Sequence, residues 1–396
     1  MNSKVSHYRM CVVDSLSEIG QENWDGLLQL QAQPNPFLSF AFLHALHESG
    51  SASAQTGWIP QFICIWEQTG ERKTLAAAMP LYEKLHSYGE YVFDWAWANA
   101  YQQHGLTYYP KLLSAIPFTP VQGSRLLSAN AEARLALLNY LQKLNQSQRY
   151  SSCHILFPTL DEANILQSEN FMLRQGVQFH WINHGFHDFE DFLASLEHKK
   201  RKNIRAERRK VQDAGIQFQH LRGRDIEETD WRFFKQCYDR TYAEHHSSPY
   251  LNLDFFLRIG KTMPENIYLI IAILNGERIA AALFIHDKHT LYGRYWGCLK
   301  HLPCLHFETA YYQALEFCIA EKIQVFEGGA QGEHKMARGF LPQKTFSAHY
   351  LQEPAFADAV ANFLQREHGG IDDYLDELKK RNPFKSASFE IDNGHD

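Results

Sequence analysis

Between Glu327 and Phe340 the chain reads Glu-Gly-Gly-Ala-Gln-Gly-Glu-His-Lys-Met-Ala-Arg-Gly-Phe, which sets Glu333, His334, Lys335 and Arg338 among four glycines. Glu333 or His334 can take a proton from a nucleophile, and Lys335 or Arg338 can neutralise negative charge developing on a reacting atom. Glycine lets the backbone approach a substrate closely, and Gln331 adds a neutral hydrogen-bonding group. The competing reading is a surface loop with solvated charges. His306 and Glu308 open an apolar-periodic stretch, Leu305 to Glu321, from which they can reach the same place. Helix-end electrostatics explains a histidine and a carboxylate in a first turn equally well.

A second chemical feature is a run of charge. Lys199, Lys200, Arg201, Lys202, Arg205, Arg208, Arg209 and Lys210 stand beside one acid, Glu207, so this segment carries +7 and the rest of the chain −13. Leu193, Leu196, Ile204 and Val211 can seat one face of a helix here, leaving Lys200, Arg201, Arg205 and Arg208 outward or toward a cleft. Arginine forks and lysine point charges suit phosphates, although a charge run is also how a solvated face looks. No aromatic residue interrupts Leu193 to Gln217, so base-stacking recognition of single-stranded nucleic acid is not expected of it.

Asp94 lies among aromatic residues, a costly place for a charge without a partner. Trp97 and Tyr101, with Trp95, Tyr292, Tyr295 and Trp296, can line a substrate groove, but aromatic residues more often fill cores. Cys298, His301, Cys304 and His306 lack the spacing of a zinc site, and no metal is expected. The seven cysteines contain no C-x-x-C and read as reduced thiols.

The elements that must position these groups occur twice. Pro36-Phe37-Leu38-Ser39-Phe40-Ala41-Phe42 returns as Pro249-Tyr250-Leu251-Asn252-Leu253-Asp254-Phe255; Gly70-Glu71-Arg72 returns as Gly276-Glu277-Arg278; Tyr88-Gly89-Glu90-Tyr91 as Tyr292-Gly293-Arg294-Tyr295; Tyr108-Tyr109 as Tyr311-Tyr312. The spacing falls from 213 to 203 residues, as expected of a duplicated domain with small loop deletions. In copy one the pattern predicts a helix over Leu38–Ser49 capped near Ser39, strands Gln61–Glu67 and Thr74–Tyr82, and a third strand, Tyr91–Ala98, from its alternating aromatics. In copy two it predicts helix Leu253–Gly260, strands Asn266–Ile273, Arg278–His286 and Thr290–Cys298, helix Leu305–Glu321 and strand Gln324–Phe326. With 396 residues, 45% hydrophobic, there is enough for two cores; the expected division is 1–190, a connecting basic helix 191–215, and 216–396. No apolar run approaches the length of a membrane span and no secretory signal is visible, so a cytoplasmic location is expected.

This order of elements resembles the GNAT acyltransferase superfamily, and its duplicated form resembles the FemAB-like branch of bacterial peptidoglycan biosynthesis or recognition proteins. The strings that carry the resemblance are Asp94-Trp95-Ala96-Trp97, Tyr108-Tyr109-Pro110-Lys111, Gly293-Arg294-Tyr295-Trp296-Gly297-Cys298, His306-Phe307-Glu308 and Gly329-Ala330-Gln331-Gly332-Glu333-His334-Lys335, over roughly Pro34 to Glu367. Lys200-Arg201-Lys202-Asn203-Ile204-Arg205 is similar to the K-x-R-x-N-I-R stretch that precedes the second domain of FemAB-type proteins. The resemblance implies an α/β (α+β) fold of tandem duplicated GNAT-like domains with mixed, largely antiparallel sheets. It also implies transfer of an acyl or aminoacyl group to an amine, with no metal, no tightly bound cofactor, and acyl-CoA or aminoacyl-tRNA as co-substrate.

GNAT domains hold the coenzyme A pyrophosphate on a [QR]-x-x-G-x-[GA] loop between a strand and a helix. Gln102, Gly105 and Thr107 match it at the corresponding place in copy one, with Thr107 replacing the last small residue and able to cap a helix. Copy two has Lys300-His301-Leu302-Pro303-Cys304 there, without glycine. FemAB-type proteins carry a lysine just before a basic–Gly–Phe/Trp sequence; here Ala337 precedes Arg338-Gly339-Phe340, and Lys335 is the nearest substitute.

The expectation is an N-acyltransferase in which Glu333 or His334 deprotonates the amine. Lys335, Arg338 and loop amides stabilise the oxyanion, and Gln102, Gly105 and the basic helix hold phosphates. The acceptor would be a small-molecule or muropeptide amine, by analogy a peptidoglycan precursor; tRNA is a possible partner, DNA is not. The alternative is a non-catalytic module that recognises a phosphorylated cell-wall precursor or an RNA backbone.

Overall fold

Gly70 and Gly276 mark the two hairpins on which the chain is organised. In the computed structural model, which describes residues 7–147, 149–329 and 332–385, Phe62–Thr69 turns into Arg72–Met79 and Ile267–Leu274 into Glu277–His286, both antiparallel. The turn glycines take φ of +65° and +80°, a conformation glycine adopts without a Cβ penalty.

The chain divides into two compact units, Met1–Gly176 with Thr345–Ile371, and Val177–Lys344 with Asp372–Asp396. Each is discontinuous in sequence, whereas the sequence predicts continuous domains at 1–190 and 216–396; helix His198–Asp213 belongs to the second unit.

In the first unit, strand His7–Val13 pairs with Phe62–Thr69, and Arg72–Met79 with Leu127–Ser128. Trp58–Pro60, Tyr82–Lys84 and Lys111–Ser114 form antiparallel neighbours, and Lys111–Ser114 then pairs in parallel with Ser152–Leu156. A parallel pair needs a crossover, supplied by helix Ala131–Asn145, whose first turn is capped by Asn130 accepting from the Ala133 N–H at 2.8 Å. Its Leu137 and Leu141 close a core with Ile63, Ile65, Leu112 and Ile155.

The second unit repeats the plan. Helix Leu253–Thr262, capped by Asn252, leads into the hairpin and then strand Thr290–Cys298, antiparallel to Glu277–His286. That strand pairs in parallel with Val325–Glu327. The crossover helix runs Leu305–Phe307, then a π-helical segment Glu308–Tyr312, then Gln313–Ala320. Helix, hairpin, strand, crossover helix and parallel strand recur in the same order, giving a duplicated mixed α/β fold with mostly antiparallel sheets. No helix among the described residues is long and apolar enough to cross a membrane.

Two of the four sequence echoes occupy equivalent places. Ser39 caps helix Phe40–Glu48 as Asn252 caps Leu253–Thr262, and the two hairpin glycines correspond. The other two echoes do not correspond. Tyr88–Tyr91 is coil and Tyr292–Tyr295 strand; Tyr108-Tyr109 precede a strand and Tyr311-Tyr312 lie in the crossover helix. The expected strand over Tyr91–Ala98 is corrected to a helix, Trp95–Gln103. Tyr91 takes φ +63°, which ends an extended run, and the buried rings are Trp97 and Tyr101, four residues apart, while Phe93 is 58% exposed. The counterpart of Thr290–Cys298 is Lys111–Ser114.

Helix Glu228–Glu244 lies so close to the strand Thr290–Cys298 that a β-carbon at Gly297 would sit 2.0 Å from the Cys237 carbonyl oxygen. The Thr241 hydroxyl donates to the Trp296 carbonyl beside it at 2.9 Å. Gly297→Ala should therefore cost about 1–3 kcal/mol, the scale of overpacking. A urea melt of the purified variant checks this, and an unchanged midpoint would contradict the contact.

Candidate active site

The parallel pairing of Thr290–Cys298 with Val325–Glu327 covers only three residues, from Thr290 opposite Val325 to Tyr292 opposite Glu327. Glycine follows on both sides, Gly293 on one strand and Gly328 and Gly329 after the other. A β-carbon at Gly293 would meet the Phe326 ring at 3.1 Å, and one at Gly328 would meet the Phe340 ring at 3.0 Å and the Lys335 stem at 3.2 Å. The strands part at these glycines, and a cleft of about 130 Å³ opens within the second unit. Arg294, Tyr295 and Trp296 form one wall, Phe326, Gly328 and Gly329 the other, and His306, Ala310 and Tyr311 of the crossover helix a third side.

Charge gathers at this opening. Lys335 is 2% exposed and donates to the Gly329 carbonyl at 2.8 Å; burial, reinforced by Arg294, brings its pKa down to about 8. Burial raises the Glu327 carboxyl to about 8, against the opposing pull of Arg294. His306 lies tilted against Trp296 at 5.1 Å and edge-on to Tyr311 at 5.5 Å, and burial, then its cationic neighbours, lowers its pKa to about 4. His334 has its Nε2 3.5 Å from the Tyr311 hydroxyl, and burial, then Arg338 and Lys335, lowers its pKa too. Both imidazoles are therefore neutral at pH 7.

The remaining candidates have other commitments. Arg338 is buried, pairs with Glu207 at 2.9 Å, donates to the His334 carbonyl at 2.8 Å and lies 3.4 Å over the Phe307 ring. Glu308 is buried against Arg208 at 3.0 Å and Gln313 at 2.7 Å. Glu333 is exposed, accepts from the Tyr374 hydroxyl at 2.8 Å and pairs with Arg381 at 2.8 Å; these bonds lower its pKa. Gln331 lies outside the described residues. Within helix His198–Asp213, Ile204 and Val211 are buried, Lys200 and Arg201 are half-buried, and Arg205 is exposed and paired with Glu190. Leu193 is buried from the preceding helix, Phe189–Ser195, and Leu196 from the residue that ends it.

Asp94, Trp97, Tyr101, Gln102, Gly105 and Thr107 all lie in the first unit. Gln102 is in the last turn of helix Trp95–Gln103, Gly105 follows its end with φ +71°, and Thr107 precedes the strand Lys111–Ser114, so the expected strand-to-helix phosphate loop with Thr107 as a cap is corrected to a helix-to-strand connection. No helix N-terminus follows it to supply free N–H groups. Tyr101 and Thr107 line a separate groove of about 260 Å³ with Tyr109, Arg149, Tyr150 and Gln352.

Asp94 belongs to a buried charge network that sequence reasoning missed. The Lys111 ammonium donates to Asp94, to Glu90 at 2.8 Å and to Ser87 at 2.8 Å, and the Tyr108 hydroxyl donates to Asp94 at 2.7 Å. His154 touches the same hydroxyl at 3.0 Å and His349 at 2.8 Å. Burial alone would raise the Asp94 carboxyl, but Lys111 and His154 hold it well below the usual range. Burial lifts Glu90 to about 7 and drops Lys84 to about 7. Arg294 was missed as well; its signal is its place next to Gly293, where a charged side chain directly follows the residue at which the strands part.

The FemAB-like family, described as peptidoglycan biosynthesis/recognition, matches residues 15–386. No curated protein matches the chain. Among solved structures, FemX is similar over 89% of this chain and 100% of its own, with a TM-score of 0.55 at 10% identity, a likeness of fold. L-PGS from Bacillus licheniformis covers 89% of this chain and 97% of its own at TM-score 0.48 and 10% identity. A tandem GNAT protein from the clavulanic acid biosynthesis pathway covers 88% and 99% at TM-score 0.45 and 11% identity.

Proposed function

This chain belongs to the FemAB-like family, and from that premise we propose that its second unit transfers an acyl or aminoacyl group from an activated donor, acyl-CoA or aminoacyl-tRNA, to an amine on a peptidoglycan precursor. The observation that carries the reading is the glycine-lined parting of two parallel strands, with a buried lysine and two neutral histidines at its edge. The acyl carbonyl enters between the strand walls. The amine attacks as His334 or His306 takes its proton, and the Lys335 ammonium and Arg294 guanidinium stabilise the oxyanion. Collapse of the tetrahedral adduct then breaks the carbon–sulfur bond of an acyl-CoA or the ester carbon–oxygen bond of an aminoacyl-tRNA, and the protonated histidine returns its proton to the departing thiolate or hydroxyl oxygen. Glu333, held by Arg381, has no part in this step. Arg338 fixes the backbone of His334 and so acts as a positioning residue.

Incubating the purified chain with acetyl-CoA, longer acyl-CoAs or aminoacyl-tRNA and a nucleotide-linked muropeptide, with mass spectrometry of the muropeptide, tests the proposal. An acyl or aminoacyl increment on an amine is the expected result. Donor binding without any transfer would favour the non-catalytic alternative.

His334→Gln should lower turnover by about 10²–10⁴ while leaving donor affinity near the native value, the scale of losing a general base. The folded His334 pKa lies below its usual 6.5, so wild-type kcat/KM should climb as pH rises toward 6.5 and stay level until Lys335 begins to lose its charge near pH 8. If His334→Gln retains full turnover, His306→Gln should show the loss instead.

A further inference from the structure

We propose that Cys11 and Cys64 form a peroxide-sensitive dithiol that closes to a disulfide and pins the first strand of the chain to its hairpin. Cys11 in His7–Val13 and Cys64 in Phe62–Thr69 stand directly opposite each other in antiparallel register. Residues so opposed have Cα atoms about 4.5–5.5 Å apart and side chains on one face of the sheet, inside the roughly 4.4–6.8 Å that a disulfide spans. Both are free thiols, and Cys11 is among the neighbours that push the Cys64 thiol up.

The pair is asymmetric. Cys64 is fully buried, and burial pushes its thiol far above the ordinary range. Cys11 is half-buried, on the strand at the edge of its four-stranded sheet. A peroxide therefore meets Cys11 first. The Cys11 thiolate attacks one peroxide oxygen and the O–O bond breaks, leaving a sulfenic acid; the departing hydroxide takes the proton that Cys11 gave up and becomes water. The Cys64 sulfur then attacks the Cys11 sulfur. The S–S bond forms, the S–O bond breaks, and the departing hydroxide carries off the Cys64 proton as a second water. Two thiols lose one electron each and the peroxide gains two.

The link would close the chain from residue 11 to residue 64, which lowers the entropy of the unfolded state. The first unit would thus be looser when reduced and firmer after peroxide.

The test is mild treatment of the full chain with hydrogen peroxide, followed by alkylation and a non-reducing peptide map. A Cys11–Cys64 linked peptide and a melting temperature higher by about 5 °C are expected, both reversed by dithiothreitol. Replacing Cys64 by alanine should leave Cys11 as a sulfenic acid that dimedone traps. A link between other cysteines, linkage with no change in melting temperature, or Cys11 left unmodified by dimedone in Cys64→Ala would each overturn the proposal.

Discussion

Lys111→Met should destabilise the first unit by about 3–5 kcal/mol, the cost of leaving buried charge unpaired after one partner is removed. Lys111 is fully buried and is the shared donor to Asp94, Glu90 and Ser87. Without it the Asp94 carboxylate keeps the Tyr108 hydroxyl but loses its bonded cation, and Glu90 loses its hydrogen-bonded cation too. Urea melts followed by tyrosine and tryptophan fluorescence measure the loss. Adding Asp94→Asn and Glu90→Gln to Lys111→Met should recover part of it, because the orphaned charges go too. A loss below about 1 kcal/mol would mean the network is worth no more than a surface ion pair. Its pH response follows from neighbouring groups. His154 and His349 are buried, which holds both well below the usual histidine value. The unfolded chain therefore binds protons first as pH falls below about 6.5, and stability drops there. Glu90, raised to about 7, works in the opposite direction over the upper part of that range, so the two histidines together outweigh it.

Lys335→Met should lower turnover by about 10²–10³, the effect of losing one oxyanion donor, with donor binding and melting temperature changed far less. Removing a buried ammonium whose own pKa is already lowered removes a costly charge along with its bond to Gly329. The pH profile separates this role from a structural one. With a pKa of about 8, Lys335 loses its charge as pH rises through 8, and wild-type activity should fall there. Lys335→Arg, charged throughout, should be flat over the same range. A wild-type profile with no decline above pH 8, or full turnover in Lys335→Met, would remove Lys335 from the reaction.

What the sequence made legible were features with local causes. Gly70 and Gly276 announce their turns because only glycine takes those φ values without strain, and Ser39 and Asn252 announce helix starts because their side chains cap the first turn. The grouping of His334, Lys335 and Arg338 was visible because they are neighbours in the chain. Features decided by distant partners were not. The aromatics after Tyr91 fit a strand's alternation and a helix's period of four about equally well, and Trp97 and Tyr101 settled the matter only by finding Tyr108, Phe356 and Val360 to pack against. Glu333 looked like a base until Arg381, far along the chain, claimed it. Lys111 stood out only as part of a family string, because nothing local reveals that Glu90, Asp94 and Ser87 converge on it. Arg208, expected outward or toward a cleft, turned to Glu308 and Glu316 for the same reason.

The π segment Glu308–Tyr312 gives the crossover helix a reach that an ordinary α-helix of the same sequence would lack. His306 and Tyr311 are five residues apart, and at about 100° per residue an α-helix would turn them about 140° away from each other. Where hydrogen bonds run to the fifth residue instead, as from the Gln313 N–H to the Glu308 carbonyl, residues five apart come into line, and these two rings meet at 5.5 Å on the wall of the cleft. The aim of His306 at the parted strands is thus written into the backbone's hydrogen-bond spacing. One residue more or fewer between 306 and 311 would rotate the histidine away from the cleft even with His306 and Tyr311 themselves unchanged.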